Sequence, residues 1–231
     1  MTARYEERPA ALPGAVLWRA VGAGGPVLPD GCMDLLWTPG QLLVAGPDTR
    51  AHRTPPGTPY AGLRLPPGAA PALLGVPAHE LRDRRVPLAD LWGERRTRPL
   101  AARVDAAPDP AAALEALALT LAAVPDGAPD PRTAEIVRLL AAGATVASAA
   151  STVGLGARQL HRRSLHAFGY GPKTLARILR LQHALALLHQ GRPLATAAAV
   201  SGYADQPHLA RETRALTGIT LTAYRVSRGL G

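Results

Sequence analysis

The chain has one cysteine, Cys32, in 231 residues, so no intramolecular disulfide can form. Aromatic residues make up only 4%, so a core must be packed from Leu, Ala and Val; at 47% apolar there is enough material for one. No apolar run approaches the ~20 residues that span a bilayer, and no signal pattern precedes the first prolines. A soluble, cytoplasmic protein without a membrane partner is expected. Gly-rich phosphate loops and nucleophile elbows are also missing. Cys32, His52 and His79 lie too far apart in sequence to show a metal-ligand spacing or a catalytic Cys/His pair. No cofactor, metal or catalytic residue is expected, and the chain is not read as an enzyme.

Acidic residues are scarce in one half only. Residues 1–130 carry 13 Lys+Arg and 14 Asp+Glu, whereas residues 131–231 carry 13 and 3, a net charge of +10. A near-neutral half joined to a strongly basic one is the electrostatic footprint of a nucleic-acid binder with a second module. The stretch Pro125-Asp126-Gly127-Ala128-Pro129-Asp130-Pro131 is the clearest linker. Expected boundaries are a β-rich domain with a trailing helix over 1–125, a linker over 126–131 and a helical domain over 132–231.

The first half offers short apolar segments with Gly/Pro punctuation. Ala15–Val21, Met33–Trp37, Gln41–Ala45 and Tyr60–Leu65 read as strands, and Gly22 to Pro26 as a turn. Ala69 to Gly75 leaves room for a short helix. Residues 78–98 look helical, with Arg82, Arg84, Arg85, Arg95, Arg96 and Arg98 alternating with acidic residues. Asp109-Pro110 is a helix start, and Leu114, Leu117 and Leu121 share one face of a helix reaching Val124. In the string Pro29-Asp30-Gly31-Cys32-Met33-Asp34, Asp30-Gly31 reads as a turn. Cys32 and Asp34 are candidates for the mouth of a ligand pocket; the alternative makes Cys32 a small buried hydrophobe and Asp34 a turn or cap residue.

In the second half one design occurs twice. Leu160, Arg162 and Gly169 are followed 49 positions later by Leu209, Arg211 and Gly218. Each set follows an alanine-rich helix and a glycine turn, at Gly154 and Gly202, which makes two helix-turn-helix units. Asp130-Pro131 and Thr145 are suitable helix starts. Pro172 opens a long connecting helix to about Gln190.

These residues resemble the AraC/XylS family of bacterial transcription regulators over about residues 131–226. The most specific part runs from Ala197 to Glu212, followed by Leu216-Thr217-Gly218 and Ala223-Tyr224-Arg225; the first copy matches through Leu160, Arg162 and Gly169-Tyr170-Gly171-Pro172. The resemblance implies seven helices and two recognition helices in successive major grooves of double-stranded DNA. It implies base contacts by Arg158, His161 and Arg162 from the first unit and Gln206, His208 and Arg211 from the second. Arg163, Arg177 and Arg180 are candidates for phosphate. Two departures stand out: Ser164 and Thr213 occupy positions where the family usually has a core Phe, and Leu221 stands where Pro is common. The first half is similar to the short sensor domains of some actinobacterial AraC-type regulators, through the 29–34 string and Gly62-Leu63-Arg64-Leu65-Pro66-Pro67-Gly68. That implies a reduced, cupin-related β-barrel.

The expected fold is therefore α+β in two domains, and the expected function sequence-specific DNA-binding regulation, in a nucleoid-associated protein. Its further partners would be a small-molecule effector, RNA polymerase if it activates, and a second copy if it dimerises. Two alternatives stay open: a non-specific architectural DNA binder, and a DNA-repair enzyme carrying the same module. The latter would need several cysteines for a zinc-bound acceptor site.

Overall fold

The structure, a computed structural model, describes residues 4–21, 26–55, 57–123 and 130–228. The first half contains strands β1 (Arg4–Pro9), β2 (Val16–Val21), β3 (Pro26–Val27), β4 (Met33–Thr38), β5 (Gln41–Ala45), β6 (His52–Arg53), β7 (Pro59–Leu65) and β8 (Arg85–Pro87). Six form an antiparallel sheet in the order β1-β2-β7-β4-β5-β8, and β3 pairs with β6 in a small second sheet. The two-domain α+β architecture is as expected. The sheet is open, with β1 and β8 as its edges, where the resemblance implied a barrel.

Period-two alternation gives the six-stranded sheet two different faces. Leu17, Leu35, Val44, Leu63 and Val86 point to one side, into a core covered by α1 (Ala70–Leu74), α3 (Glu94–Asp105) and α4 (Pro110–Ala122). Asp109 caps α4 by accepting from the backbone N–H of Ala111 (2.9 Å) and Ala112 (3.1 Å). Leu114 is fully buried there, and Leu117 and Leu121 pack beside it. The opposite face carries Trp18, Asp34 and Arg64 and lines a cavity.

The four strands, the short helix and the Asp109 helix start expected from sequence are present. The continuous helix expected over residues 78–98 is not. That stretch holds a single 3-10 turn (Ala78–Glu80), β8, α2 (Leu88–Trp92) and the first turns of α3. Val86 is buried and pairs with Val44 at the sheet edge, so tertiary pairing overrides the helical pattern. Asp83 adopts a left-handed φ of 58°, held by Thr49, whose N–H donates to the Asp83 carboxylate at 2.7 Å. β1, β3, β6 and β8 were not read from the sequence. The turn expected at 22–26, the Val124 helix end and the linker call for residues 22–25 and 124–129, which lie outside the described residues.

The second half is helical: α5 (Pro131–Ala141), α6 (Val146–Thr152), α7 (Ala157–Phe168), α8 (Pro172–His189), α9 (Leu194–Val200), α10 (Gln206–Thr217) and α11 (Leu221–Ser227). Asp130 and Thr145 cap α5 and α6 through the N–H groups of Arg132 and Ser148. The core of this half runs along α8 through Leu175, Ile178, Leu181, Leu185 and Leu188, and it includes Leu28 of the first half. No helix among the described residues is long and apolar enough to cross a membrane.

Candidate nucleic-acid interface and interdomain cavity

Helices α7 and α10 are each 12 residues long, start 49 positions apart and end in a left-handed glycine, Gly169 (φ 81°) and Gly218 (φ 75°). Leu160 and Leu209 are fully buried at equivalent positions and fix the same face of each helix inward. Arg158, His161 and Arg162 are consequently exposed on α7, and Gln206 and Arg211 on α10.

His208 is placed differently. At the third position of α10 its N–H donates to the capping Asp205 carboxylate (2.6 Å), while its Nδ1 accepts from the Ala204 N–H (3.3 Å). Its ring stands edge-on to Tyr203, 5.2 Å between centroids. Residue 208 therefore closes a reciprocal cap, leaving only Nε2 to face outward. In α7 the equivalent residue, Gln159, accepts from the Gly156 N–H at 3.0 Å. The N-terminal signals Asp205-x-x-His208 and Gly156-x-x-Gln159 were in the sequence, and neither was read as a cap. The His161 ring lies against the Gly171 turn, about 3.0 Å from where a side chain there would begin.

The three arginines considered for phosphate are engaged within the protein. Arg163 pairs with Asp130, the cap of α5. Arg177 Nε donates to Glu212 at 2.6 Å, and Arg180 reaches the same carboxylate at 3.7 Å while lying 4.6 Å from the Tyr203 ring. The hydrogen bond from Arg177 holds the Glu212 carboxyl below its ordinary range. This bridge ties α10 to α8.

Neither family departure leaves a polar group outside the core. Ser164 and Thr213 are both fully buried. Thr213 Oγ1 donates to the Leu209 carbonyl at 2.8 Å, one turn back. Ser164 Oγ has no hydrogen-bond partner among the described residues. Leu221 is buried at the start of α11, where Thr220 supplies the cap to Ala223 N–H.

The first unit is also gripped by the N-terminal domain. A Cβ on Gly169 would lie 2.5 Å from Pro47 and 3.1 Å from the Ala78 carbonyl; one on Gly68 would lie 2.2 Å from Thr133 and 2.9 Å from Phe168. Arg82 donates to the Gly169 carbonyl at 3.4 Å. Arg162 and His166 line an open groove opposite Ala72 and Val76. Tyr170 is buried in this contact with its hydroxyl unpaired among the described residues.

Above the second sheet face lies a cavity of about 460 Å³, bounded by β3 and β6 and closed by Gln182 and Leu185 of α8 and Tyr224 of α11. Cross-strand pairing places Arg64, Asp34, Ala45 and Arg85 in one row on its floor. Trp18 lies across Gly62, where an added Cβ would meet the indole at 2.3 Å, and donates from Nε1 to Asp34 Oδ1 at 2.6 Å. Burial pushes the Asp34 carboxyl up to about 6 against the pull of Arg64.

Of the pocket pair expected from sequence, Asp34 lines the cavity and Cys32 does not. The Cys32 thiol sits 4.0 Å from the Asp30 carbonyl. Burial raises it well above the ordinary thiol range, with Asp30 and Asp34 adding to the effect. Arg64, Trp18 and Tyr60, which complete the floor and wall, were missed; their signal was the alternation on β2 and β7. The 29–34 turn continues to the other domain, since Pro29 O accepts from Gln182 Nε2 at 2.6 Å. His52 lies on the cavity wall and His79 in the 3-10 turn. Among the described residues no three His, Cys, Asp or Glu side chains come together to hold a metal ion.

Comparison with known proteins agrees with this arrangement. Residues 149–227 match the family described as "Helix-turn-helix domain", and residues 17–87 match "Domain of unknown function (DUF6597)". No curated protein matches the chain. The fold is similar to ToxT from Vibrio cholerae O395, at 8% identity and a TM-score of 0.50 over 96% of this chain and 97% of that one. A second ToxT structure from Vibrio cholerae gives 8% and 0.50 over 96% and 98%. A probable AraC family transcriptional regulator from Rhodopseudomonas palustris is 24% identical over 41% of this chain and 94% of its own, with a TM-score of 0.35. The double helix-turn-helix half defines a DNA-binding protein of transcription regulation. The chain carries an AraC-type helix-turn-helix domain at its C-terminal side and a DUF6597 domain at its N-terminal side.

Proposed function

We propose that the protein is a sequence-specific transcription regulator whose helices α7 and α10 read two major-groove segments about one helical turn, ~34 Å, apart. The carrying observation is that Arg162 and Arg211 stand exposed at equivalent positions of two equally built helices. Arg can bond guanine O6 and N7 bidentately, and Gln206 can do the same with adenine N6 and N7. Arg158 and His161 on α7, and His208 through Nε2 on α10, complete the base-facing set. Arg163, Arg177 and Arg180 reach phosphate only by leaving their carboxylates. The net charge of +10 over residues 131–231 gives the electrostatic part of the affinity. The N-terminal domain modulates this activity through the contacts on Gly169 and α8. The chain acts by binding, with no catalytic step, as a cytoplasmic protein that meets RNA polymerase where it activates. Residues 1–125 and 132–231 are taken as the two domains.

The test is selection of sites from random DNA with wild type, Arg162→Ala and Arg211→Ala. Each variant is expected to lose discrimination in one of two segments, by ~1–3 kcal/mol if the contact is bidentate to guanine. Selection of no preferred sequence, with binding that depends on salt alone, returns the protein to a non-specific DNA binder.

A further inference from the structure

We infer that the interdomain cavity is a binding site for a small organic cation, an amine or amidine on an apolar or aromatic body. Its volume of about 460 Å³ is within the range of small-molecule sites. The charge on its floor decides the ligand class. Arg85 is matched by Asp48, with both guanidinium–carboxylate contacts at 2.7 Å. Arg64 is shared between two carboxylates, its Nε lying 3.4 Å from Asp30 and 3.7 Å from Asp34. Two carboxylates on one guanidinium leave a local excess of one negative charge around Arg64.

Asp34 is also geometrically unfinished. Its Oδ1 takes the Trp18 indole N–H, while Oδ2 has no hydrogen bond among the described residues and the side chain remains 17% exposed toward the cavity. Burying an ionised carboxylate is costly unless a cation or donors complete it. A ligand ammonium would do so; a ligand carboxylate would add a further negative charge. The walls favour the same choice. Tyr5, Trp18 and Tyr60 surround the floor, Tyr5 and Trp18 stacking at 6.2 Å, and aromatic faces attract cations. His52 does not supply the missing charge, because burial and Arg85 lower its pKa. Arg228 also lines the cavity, but it is exposed and engaged by the Pro26 carbonyl at 3.5 Å and the Tyr224 ring at 5.8 Å.

A bound cation would touch both halves, since Gln182 and Leu185 close the cavity and Gln182 holds Pro29, four residues before Met33 and the start of β4. Its role as an effector rests on the regulator reading, but its binding does not. The experiment is calorimetric titration of the full chain at neutral pH with tryptamine, phenethylamine and agmatine, against phenethyl alcohol and phenylacetate. At least one amine is expected to bind, with the alcohol and the acid about tenfold weaker or more. Asp34→Asn should weaken the amine by about tenfold or more while circular dichroism and DNA binding stay as in wild type. Ala20→Phe, which fills the cavity without altering charge, should abolish it. Absence of amine binding, tighter binding of phenylacetate, or an amine affinity unchanged in both variants overturns the inference. Site selection from random DNA is scored separately: its failure removes the regulator reading and leaves amine binding standing.

Discussion

The two helix-turn-helix units share length, buried leucine, arginine position and glycine stop, yet their surroundings differ. The first is held by the N-terminal domain at Gly169, Tyr170 and Phe168, and its Arg162 faces a groove whose far wall is that domain. The second meets the same domain at Ala51, whose N–H donates to the Thr217 carbonyl at 3.1 Å. Its stabilising contacts lie inside its own half, in the Glu212 bridge to α8 and the Asp205 cap. Two units built to the same design therefore differ in support: the first is packed against the N-terminal domain around Gly169, and the second is braced by α8 through Glu212.

The paired glycines give the largest expected effect. Both hold a left-handed φ, so Gly218→Ala should cost about 1–2 kcal/mol. Gly169→Ala adds an overlap with Pro47 and the Ala78 carbonyl, for a total of about 3 kcal/mol or more. Chemical denaturation of both variants measures the difference, and equal costs would mean that the grip on the first unit is energetically empty.

The anchoring carboxylates come next. Glu212, 14% exposed in its side chain, should cost about 1–3 kcal/mol on conversion to Gln. Asp130, 43% exposed, should cost less than about 1 kcal/mol on losing the Arg163 pair by conversion to Asn. Both carboxyls are held below their ordinary range, Glu212 by Arg177 and Asp130 by Arg163. A depressed carboxylate pKa gives stability that is full above the unfolded value and lost as pH falls through the folded one. Acid titration of stability below about pH 4.5 should therefore flatten more in Glu212→Gln than in Asp130→Asn. The reverse order would place the stronger anchor on the first unit.

The smallest effect concerns the buried hydroxyls. Ser164→Ala removes an unpaired group and should change stability by less than about 1 kcal/mol, in either direction. Thr213→Ala loses a bonded hydroxyl and a methyl, and should cost about 1–2 kcal/mol. A large loss at Ser164 would reveal a partner for its hydroxyl.

How much of this could be read in advance varied with the kind of signal. The bounds of α7 and α10 follow from local chemistry: a turn glycine before, a left-handed glycine after, and leucines at helical spacing between. β8 was hidden because Arg84 and Arg85 beside Val86 look like a solvated helix face, and only the distant Val44 makes that stretch a strand. Asp34 was found through a distinctive local string, whereas Arg64 and Trp18 meet it only through sheet register. The engagement of Arg163, Arg177 and Arg180 was invisible for the same reason, their carboxylates being 33, 35 and 32 positions away.

Gly62 has a consequence for how this domain can diverge. The indole of Trp18 occupies the space that any side chain at position 62 would need, so position 62 cannot gain a side chain while Trp18 keeps this place. A relative with alanine or larger at 62 must carry something smaller than Trp at 18, and it would then lack the donor that holds Asp34 Oδ1. Sequences of this N-terminal family that keep Trp at 18 should therefore keep Gly at 62, and those with a side chain at 62 should have lost the Trp.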